Sequence, residues 1–261
     1  MSRPVFRFAP SPNGFLHLGH AYSALLNARM AADSGGRLLL RIEDTDEGRS
    51  RPEFVQAIYE DLAWLGISWD EPVRIQSEHF SDYEANLRRL WEMGAVFPCF
   101  CSRKKAGAHA LSSRDPDGQP HYGGTCRAIP HADAKERITR GDAHGWRIDM
   151  AKATDPAAVI WGDAMIAKRH VGSSYHIAVV TDDALQGVTH VVRGRDIEPA
   201  TPLHKLLQQL LGLPTPDYLH HDLIRDTEGQ KLSKSIASQS LRQLREEGAT
   251  ADDIRQRLGF A

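Results

Sequence analysis

Cysteine is scarce in this chain. Three cysteines occur, at positions 99, 101 and 126. The count is odd and a C-x-C pair is poorly placed to bridge with itself, which argues against a disulfide framework. Long apolar runs are missing too. None is long enough to span a membrane, and Met1-Ser2-Arg3-Pro4 runs straight into a strand pattern with no signal peptide before it, so a cytoplasmic location is the expectation. Nor is there an excess of one charge: 32 Lys and Arg stand against 34 Asp and Glu, a net charge of −2. A globally basic nucleic-acid binder is thereby excluded, and an RNA partner would need a local basic face. Internal repeats and long low-complexity segments are absent.

What remains is ordinary for a globular protein: 41% hydrophobic and 25% charged residues in 261, enough for one large domain or one domain with an insert. The pattern along the chain alternates. An apolar run, Val5 to Ala9, breaks at Pro10, Pro12 and Gly14, and a helical stripe of Tyr22, Leu25, Leu26 and Met30 follows within Ala21 to Asp33, stopped by Gly35-Gly36. Arg37 to Ile42 reads as a buried parallel strand, Pro52 to Gly66 as a helix, and Ser81 to Gly94 as a helix capped by Ser81. The order predicts an α/β fold with a doubly wound, Rossmann-type parallel sheet.

From residue 99 the periodicity weakens. Ser112 to Thr125 is rich in Gly, Pro, Asp and Ser and reads as loop, with strand-like pieces later at Trp146 to Ile148 and Val159 to Ile160. Alternation returns with a helix over Ile177 to Leu185, a strand over Val188 to Arg193, a helix over Thr201 to Leu211 and a strand over Tyr218 to Ile224. Two short helical patterns close the chain, at Leu241 to Glu247 and Asp252 to Leu258. The expected organisation is a first half-sheet over 1–98, an insert over 99–170 and a second half-sheet over 171–261.

Chemistry concentrates where elements end. His17-Leu18-Gly19-His20 sits at a helix start, where unpaired N–H groups and the positive dipole end suit phosphate. Gly19 lets a flat group such as a nucleobase approach the backbone, while His17 and His20 can donate hydrogen bonds to phosphate oxygens. Lys231-Leu232-Ser233-Lys234-Ser235 follows a turn signal at Asp226 to Gly229. Small basic clusters at Arg88 with Arg89, Arg103 to Lys105, Arg137 with Arg140 and Arg193 with Arg195 each read, alone, as a solvated face. Cys99, Cys101 and Cys126 offer three thiolates, which favour zinc, and a structural tetrahedral site needs a fourth donor. On chemistry alone His121 is the conventional fourth ligand and His131 a weaker one.

HLGH early and KLSKS late resemble the paired signatures of class I aminoacyl-tRNA synthetases. The block Arg7 to His20, with Arg41-Ile42-Glu43-Asp44-Thr45-Asp46 and Val192-Arg193-Gly194-Arg195-Asp196, resembles the glutamyl branch, and the likeness runs from Arg7 to Ser235. The resemblance implies activation of glutamate by ATP with Mg2+. His17, His20, Lys231 and Lys234 would then serve catalysis, with His17, Gly19, His20 and Lys234 at the ATP. It places Arg7, Phe8, Ala9, Pro10, Ser11, Glu43, Tyr175 and Arg193 at the glutamate. Charge agrees: two carboxylates call for cations such as Arg7 and Arg193, and the ammonium for Glu43.

Bacterial glutamyl-tRNA synthetases with this cysteine spacing often carry histidine two residues after the last cysteine, where Ala128 stands. A small family, the glutamyl-Q tRNA(Asp) synthetases, uses a tyrosine four residues before it, which is the place of Tyr122. That family also resembles only the catalytic half of its larger relatives. After Ser235 this sequence has room for a short tail and none for an anticodon-binding domain. The likeness implies transfer of glutamate to the queuosine base at the wobble position of tRNA(Asp), by a monomer with a structural zinc. Another acceptor for the glutamate, or a non-catalytic ATP- or RNA-binding module, are the alternatives. A module freed from catalysis has no physical need to keep both histidines, both lysines and both arginines.

Overall fold

A computed structural model describes residues 3–153, 155–169, 171–224 and 239–260. Its residues gather into two compact units, one made of the chain up to Glu78, Gly187–Glu198 and the chain from Pro216, the other of His79–Gln186 and Pro199–Thr215. These units cut the chain differently from the expected division at 98 and 170. The helix after residue 79 packs with later helices of its own unit, a partnership that local periodicity does not encode.

The first unit is the parallel sheet expected from the alternation. Strands β1 (Val5–Phe8), β2 (Arg37–Ile42) and β3 (Asp70–Ile75) are joined by helices α1 (Leu18–Asp33) and α2 (Pro52–Trp64). The four residues of β1 are all buried, as are five of the six in β2. In the second unit come α3 (Phe80–Glu92), β4 (Val96–Cys99), α4 (Arg103–Ala108), α5 (His131–Thr139), β5 (Gly145–Ile148), β6 (Met165–Ala167) and α6 (Tyr175–Leu185). The chain then returns to the sheet with β7 (His190–Gly194), leaves it for α7 (Thr201–Leu211), and ends in the first unit with β8 (Asp217–His221), α8 (Leu241–Glu246) and α9 (Ala251–Leu258).

The sheet order is β3-β2-β1-β7-β8 and every neighbouring pair is parallel. β1 is the central strand. Its N-terminal end is stitched on both sides, since Arg37 N–H donates to the Pro4 carbonyl at 2.8 Å and Thr189 N–H to the Val5 carbonyl at 3.0 Å. Phe6, Leu25, Leu40 and Ile58 fill the core, and Leu241, Leu244, Ile254 and Leu258 bring α8 and α9 onto it.

The second unit contains a three-stranded antiparallel sheet, β4-β5-β6, and the helices α3, α6 and α7. Its helices are keyed by buried polar pairs: Tyr83 OH donates to Asp182 at 2.9 Å and Asn86 to the Thr181 hydroxyl at 2.9 Å. Such pairs satisfy groups that burial would otherwise penalise.

Two local expectations are corrected, and one strand escapes the sequence pattern. Val159 and Ile160 lie in a 3-10 turn, Pro156–Trp161, whose first N–H groups are capped by Asp155, and both side chains are about half exposed. A short apolar pair with a capping Asp and a proline before it is a turn start, not a strand. α3 begins one residue before Ser81, with His79 at the cap position and no side-chain cap bond. β3 is hidden in the sequence pattern because its residues, DEPVRI, carry charges and a proline; it lies at the sheet edge, where a missing N–H is tolerated.

Candidate active site and thiolate cluster

The chain changes direction across the sheet at β1, whose neighbours are β2 on one side and β7 on the other. Such a switch point leaves a crevice at the carboxyl ends of the strands, where open α/β sheets bind ligands. The expected glutamate-binding residues of this unit assemble there. Arg7 and Phe8 end β1, Arg193 is near the end of β7, and Glu43 follows β2. Ala9, Pro10 and Ser11 lead away from β1, and the Pro10 carbonyl accepts from Glu43 N–H at 3.0 Å. Arg51 N–H donates to the Pro12 carbonyl at 3.2 Å, a second tie between this turn and the segment after β2.

Each charged group has a defined neighbour. Arg7 is 4% exposed. Glu43 Oε1 accepts from Arg41 Nη2 at 3.0 Å, the arginine side chain being fully buried, which fixes the orientation of the carboxylate. Arg193 Nε points to His220 Nε2 at 3.5 Å, and its guanidinium lies over the Tyr218 ring at 5.2 Å. Burial, and then the charge of Arg193, push the His220 pKa down, so His220 faces the arginine as a neutral acceptor. Tyr175 belongs to the other unit, at the first residue of α6, where its ring meets His176 and His204 at 5.6 and 5.4 Å.

The HLGH turn has an unusual cap. His17 is the N-cap of α1; its Nδ1 accepts from Gly19 N–H at 3.0 Å, and its own N–H donates to His20 Nδ1 at 3.2 Å. This is a reciprocal capping box built from imidazoles, with the rings stacked at 3.8 Å. Because both Nδ1 atoms accept, the neutral rings carry their protons on Nε2. Burial, and then the neighbouring His17, push the His20 pKa down to about 3, with Asp196 acting the other way. His20 therefore offers a hydrogen bond and no charge.

Gly19 makes room for the stacked ring, since a Cβ there would lie 2.9 Å from His17 Cε1. Sequence pattern alone does not show what holds the turn from behind. Leu241 N–H donates to the Leu16 carbonyl at 2.7 Å, and Ser240 forms a β-bridge with His17. The readable signal is the S-x-x-Q capping box of α8, Ser240 with Gln243. Lys231 and Lys234 lie outside the described residues. Of the basic clusters, Arg137 and Arg140 share Asp142, and Arg195 pairs with Glu198 and Asp222.

In the second unit the thiol sulfurs of Cys99, Cys101 and Cys126 lie within 4.8 Å of one another. Cys101 Sγ is 3.6 Å from Cys126 Sγ and 3.4 Å from the Tyr122 hydroxyl. Tetrahedral zinc with ordinary bond lengths requires about 3.8 Å between two sulfurs and about 3.5 Å between sulfur and oxygen. Both separations at Cys101 match such an ion, and the Cys99 sulfur lies within 4.8 Å of the other two. His121 turns away: its Nδ1 meets the Ser113 hydroxyl and its Nε2 the Ile160 carbonyl, each at 2.9 Å. His131 stacks on Trp91 at 4.6 Å. Gly123 permits this backbone path, since a Cβ there would collide with the His109 carbonyl. Burial, and then the adjacent thiols, push the Tyr122 phenol up, and a divalent cation would act in the opposite sense.

Residues 5–259 match the family described as tRNA synthetases class I (E and Q), catalytic domain. The chain belongs to that family. As a class I tRNA synthetase it is a ligase, and such enzymes use ATP with Mg2+. It is 44% identical to a glutamyl-Q tRNA(Asp) synthetase of Rhodobacter capsulatus, over 98% of this chain and 100% of that protein. It is 36% identical to the glutamate–tRNA ligase of Aquifex aeolicus, over 95% of this chain and 55% of the ligase, so it spans about half the length of that relative. A solved glutamate tRNA ligase from Elizabethkingia meningosepticum superposes with a TM-score of 0.75 at 24% identity, covering 95% of this chain and 54% of that one. At that identity the likeness bears on the fold. Among the described residues no helix is long and apolar enough to cross a membrane.

Proposed function

We propose that this synthetase activates L-glutamate with ATP as glutamyl-adenylate and transfers the glutamyl group to the queuosine base at the wobble position of tRNA(Asp). The observation that carries the acceptor is the 44% identity running along the whole of the R. capsulatus glutamyl-Q tRNA(Asp) synthetase. In the first step a carboxylate oxygen of glutamate attacks the α-phosphorus of ATP and pyrophosphate leaves. Both reactants are anionic, so the protein's work is to align them and to meet the charge growing on the departing phosphates.

The Nε2–H groups of His17 and His20 donate to phosphate oxygens, and Gly19 keeps the turn open to the nucleotide. Lys231 and Lys234 bring positive charge from the KLSKS segment, with Lys234 on the phosphates. Mg2+ bound with ATP would supply further neutralisation of phosphate charge. Arg7 and Arg193 take the carboxylates and Glu43 the ammonium, with Phe8, Ala9, Pro10 and Ser11 as the wall of the pocket and Tyr175 as a further contact. Glutamine would leave one buried arginine without its anion, a penalty large enough for strong rejection. Cys99, Cys101, Tyr122 and Cys126 hold a structural zinc that pins the 99–170 segment, the part that meets the acceptor. The enzyme works as a cytoplasmic monomer.

The 36% identity with a glutamate–tRNA ligase over 95% of the chain favours a second reading, in which the acceptor is a tRNA 3′ end. Radiolabelled glutamate, ATP and Mg2+ with two tRNA pools, one carrying queuosine and one from cells unable to make it, separate the two. Label confined to the queuosine pool is the expected result. Equal label in both pools supports the 3′ end. No label, together with no glutamate-dependent pyrophosphate exchange, would leave a binding module.

A further inference from the structure

One face of the small antiparallel sheet carries both Cys99 and Arg147. β4 and β5 pair with Phe97 opposite Arg147 and Cys99 opposite Gly145. Residues directly opposite, and residues two apart on a strand, share a face. The guanidinium of Arg147 lies over the Tyr122 ring, with Cζ 4.2 Å from the centroid. Its Nη1 donates to the Asp163 carbonyl at 2.7 Å. Its Nε is buried and makes no hydrogen bond. Leaving a buried donor without an acceptor is unfavourable, so the side chain is placed for the ring at the expense of a hydrogen bond. Asp163 is itself 3% exposed. Its carboxylate accepts from Arg127 Nε at 3.0 Å and from Met150 N–H at 3.1 Å, and Arg127 is the residue after Cys126. One buried aspartate thus anchors both the arginine over Tyr122 and the chain leaving Cys126.

We infer that Arg147 is a positioning residue for the metal centre, holding the Tyr122 ring so that its oxygen is presented as the fourth donor. The inference rests on reading Cys99, Cys101, Tyr122 and Cys126 as a metal site. A ligating histidine is oriented by a hydrogen bond from its second ring nitrogen. Tyrosine has no second polar ring atom, so the face of the ring is the remaining handle, and a planar guanidinium grips a ring face through its attraction to the π electrons. Three thiolates around a divalent ion also leave the cluster negative, which a nearby cation favours. The Tyr122 oxygen is fixed from its other side by Cys126 N–H, which donates to it at 2.9 Å.

The test measures zinc affinity of the full chain by competition with a chromophoric chelator, and the visible spectrum of the cobalt-substituted protein. The variants are Tyr122→Phe, Arg147→Met, Arg147→Gln and the double Tyr122→Phe/Arg147→Met. Far-UV circular dichroism confirms that each is folded. Arg147→Gln keeps a polar amide at the place of Nε and removes the cationic face, so it guards against a misfolded methionine variant. Each single change is expected to weaken zinc about 10–100-fold, with thiolate-to-cobalt bands retained and the d–d bands altered alike by Tyr122→Phe and by either Arg147 change. The double variant should be no weaker than the weaker single, because the arginine acts through the tyrosine. Wild-type affinity and spectrum in Arg147→Gln, or losses that multiply in the double variant, overturn the inference while leaving the metal site standing. A wild-type protein that takes up no zinc overturns both.

Discussion

His17 and His20 cap the same helix through each other. The N–H of His17 ends on Nδ1 of His20, while Nδ1 of His17 takes the N–H of Gly19, and the rings stack at 3.8 Å. The arrangement commits both Nδ1 atoms to the helix cap. It also makes His20 a poor candidate for cationic catalysis, since its pKa is pushed down to about 3, by burial first and then by His17.

The pH dependence of His20 follows from that direction. A histidine whose folded pKa lies below its unfolded value of about 6.5 contributes stability above that value and loses it as pH falls toward the folded pKa. Adenylate formation should therefore show no acid limb from His20 between pH 5 and 8. The ring-proton NMR signal of His20 should stay constant over the same range. A midpoint near 6.5 for that signal would refute the neutral assignment.

Replacing His20 by alanine removes an acceptor of the cap and a donor to the nucleotide together. The cap is worth about 0.5–2 kcal/mol of stability. Loss of one preorganised donor lowers the rate by about 10²–10³-fold. Glutamate-dependent ATP–pyrophosphate exchange should fall by that order while the circular dichroism spectrum stays native. An exchange rate within about twofold of wild type would take His20 out of the phosphate site.

Gly19→Ala should act through His17. A Cβ 2.9 Å from the imidazole forces the ring to shift. Displacing a catalytic group by about 1 Å can lower a rate by about 10²-fold. The expected result is slower exchange with little change in melting temperature. If the rate holds and the stability drops, Gly19 serves the helix and not the site.

Asp61 gives a stability prediction away from the chemistry. On α2 its carboxylate is fully buried and neither oxygen makes a hydrogen bond; Arg245 of α8 lies 3.6 Å away. Burial pushes its pKa up to about 6, with Arg245 opposing. The folded protein then holds this proton more tightly than the unfolded chain, so the group weakens the fold as pH rises from about 4 to 6, and the loss persists above. Asp61→Asn should flatten the slope of stability against pH in that window, in urea melts run at pH 4.5, 5.5 and 7.5. A slope as steep as that of wild type would mean that other groups set it.

Local pattern carried the inner strands of the sheet because β1, β2 and β7 are apolar stretches bounded by Gly, Pro and acidic residues, and such stretches leave little choice of structure. The HLGH start of α1 was legible for the same reason. Tertiary context overruled the pattern at Val159 and Ile160, where Asp155 and Pro156 start a turn, and at β3, where the edge of the sheet tolerates Pro72. Cysteine spacing pointed to a cluster, yet it left Tyr122 and His121, adjacent in sequence, as rivals for it.

By itself the sequence determined the class of fold, the strand ends that carry Arg7, Glu43 and Arg193, and the thiols available to a metal. These follow from hydrophobic period and residue chemistry, which act over a few neighbours. Only the tertiary structure decided that His17 and His20 cap α1 through each other, that Leu241 braces the turn at Leu16, and that the Tyr122 hydroxyl and not the His121 ring meets the Cys101 sulfur. Each of these depends on burial or on partners far along the chain, and no short window of sequence contains them.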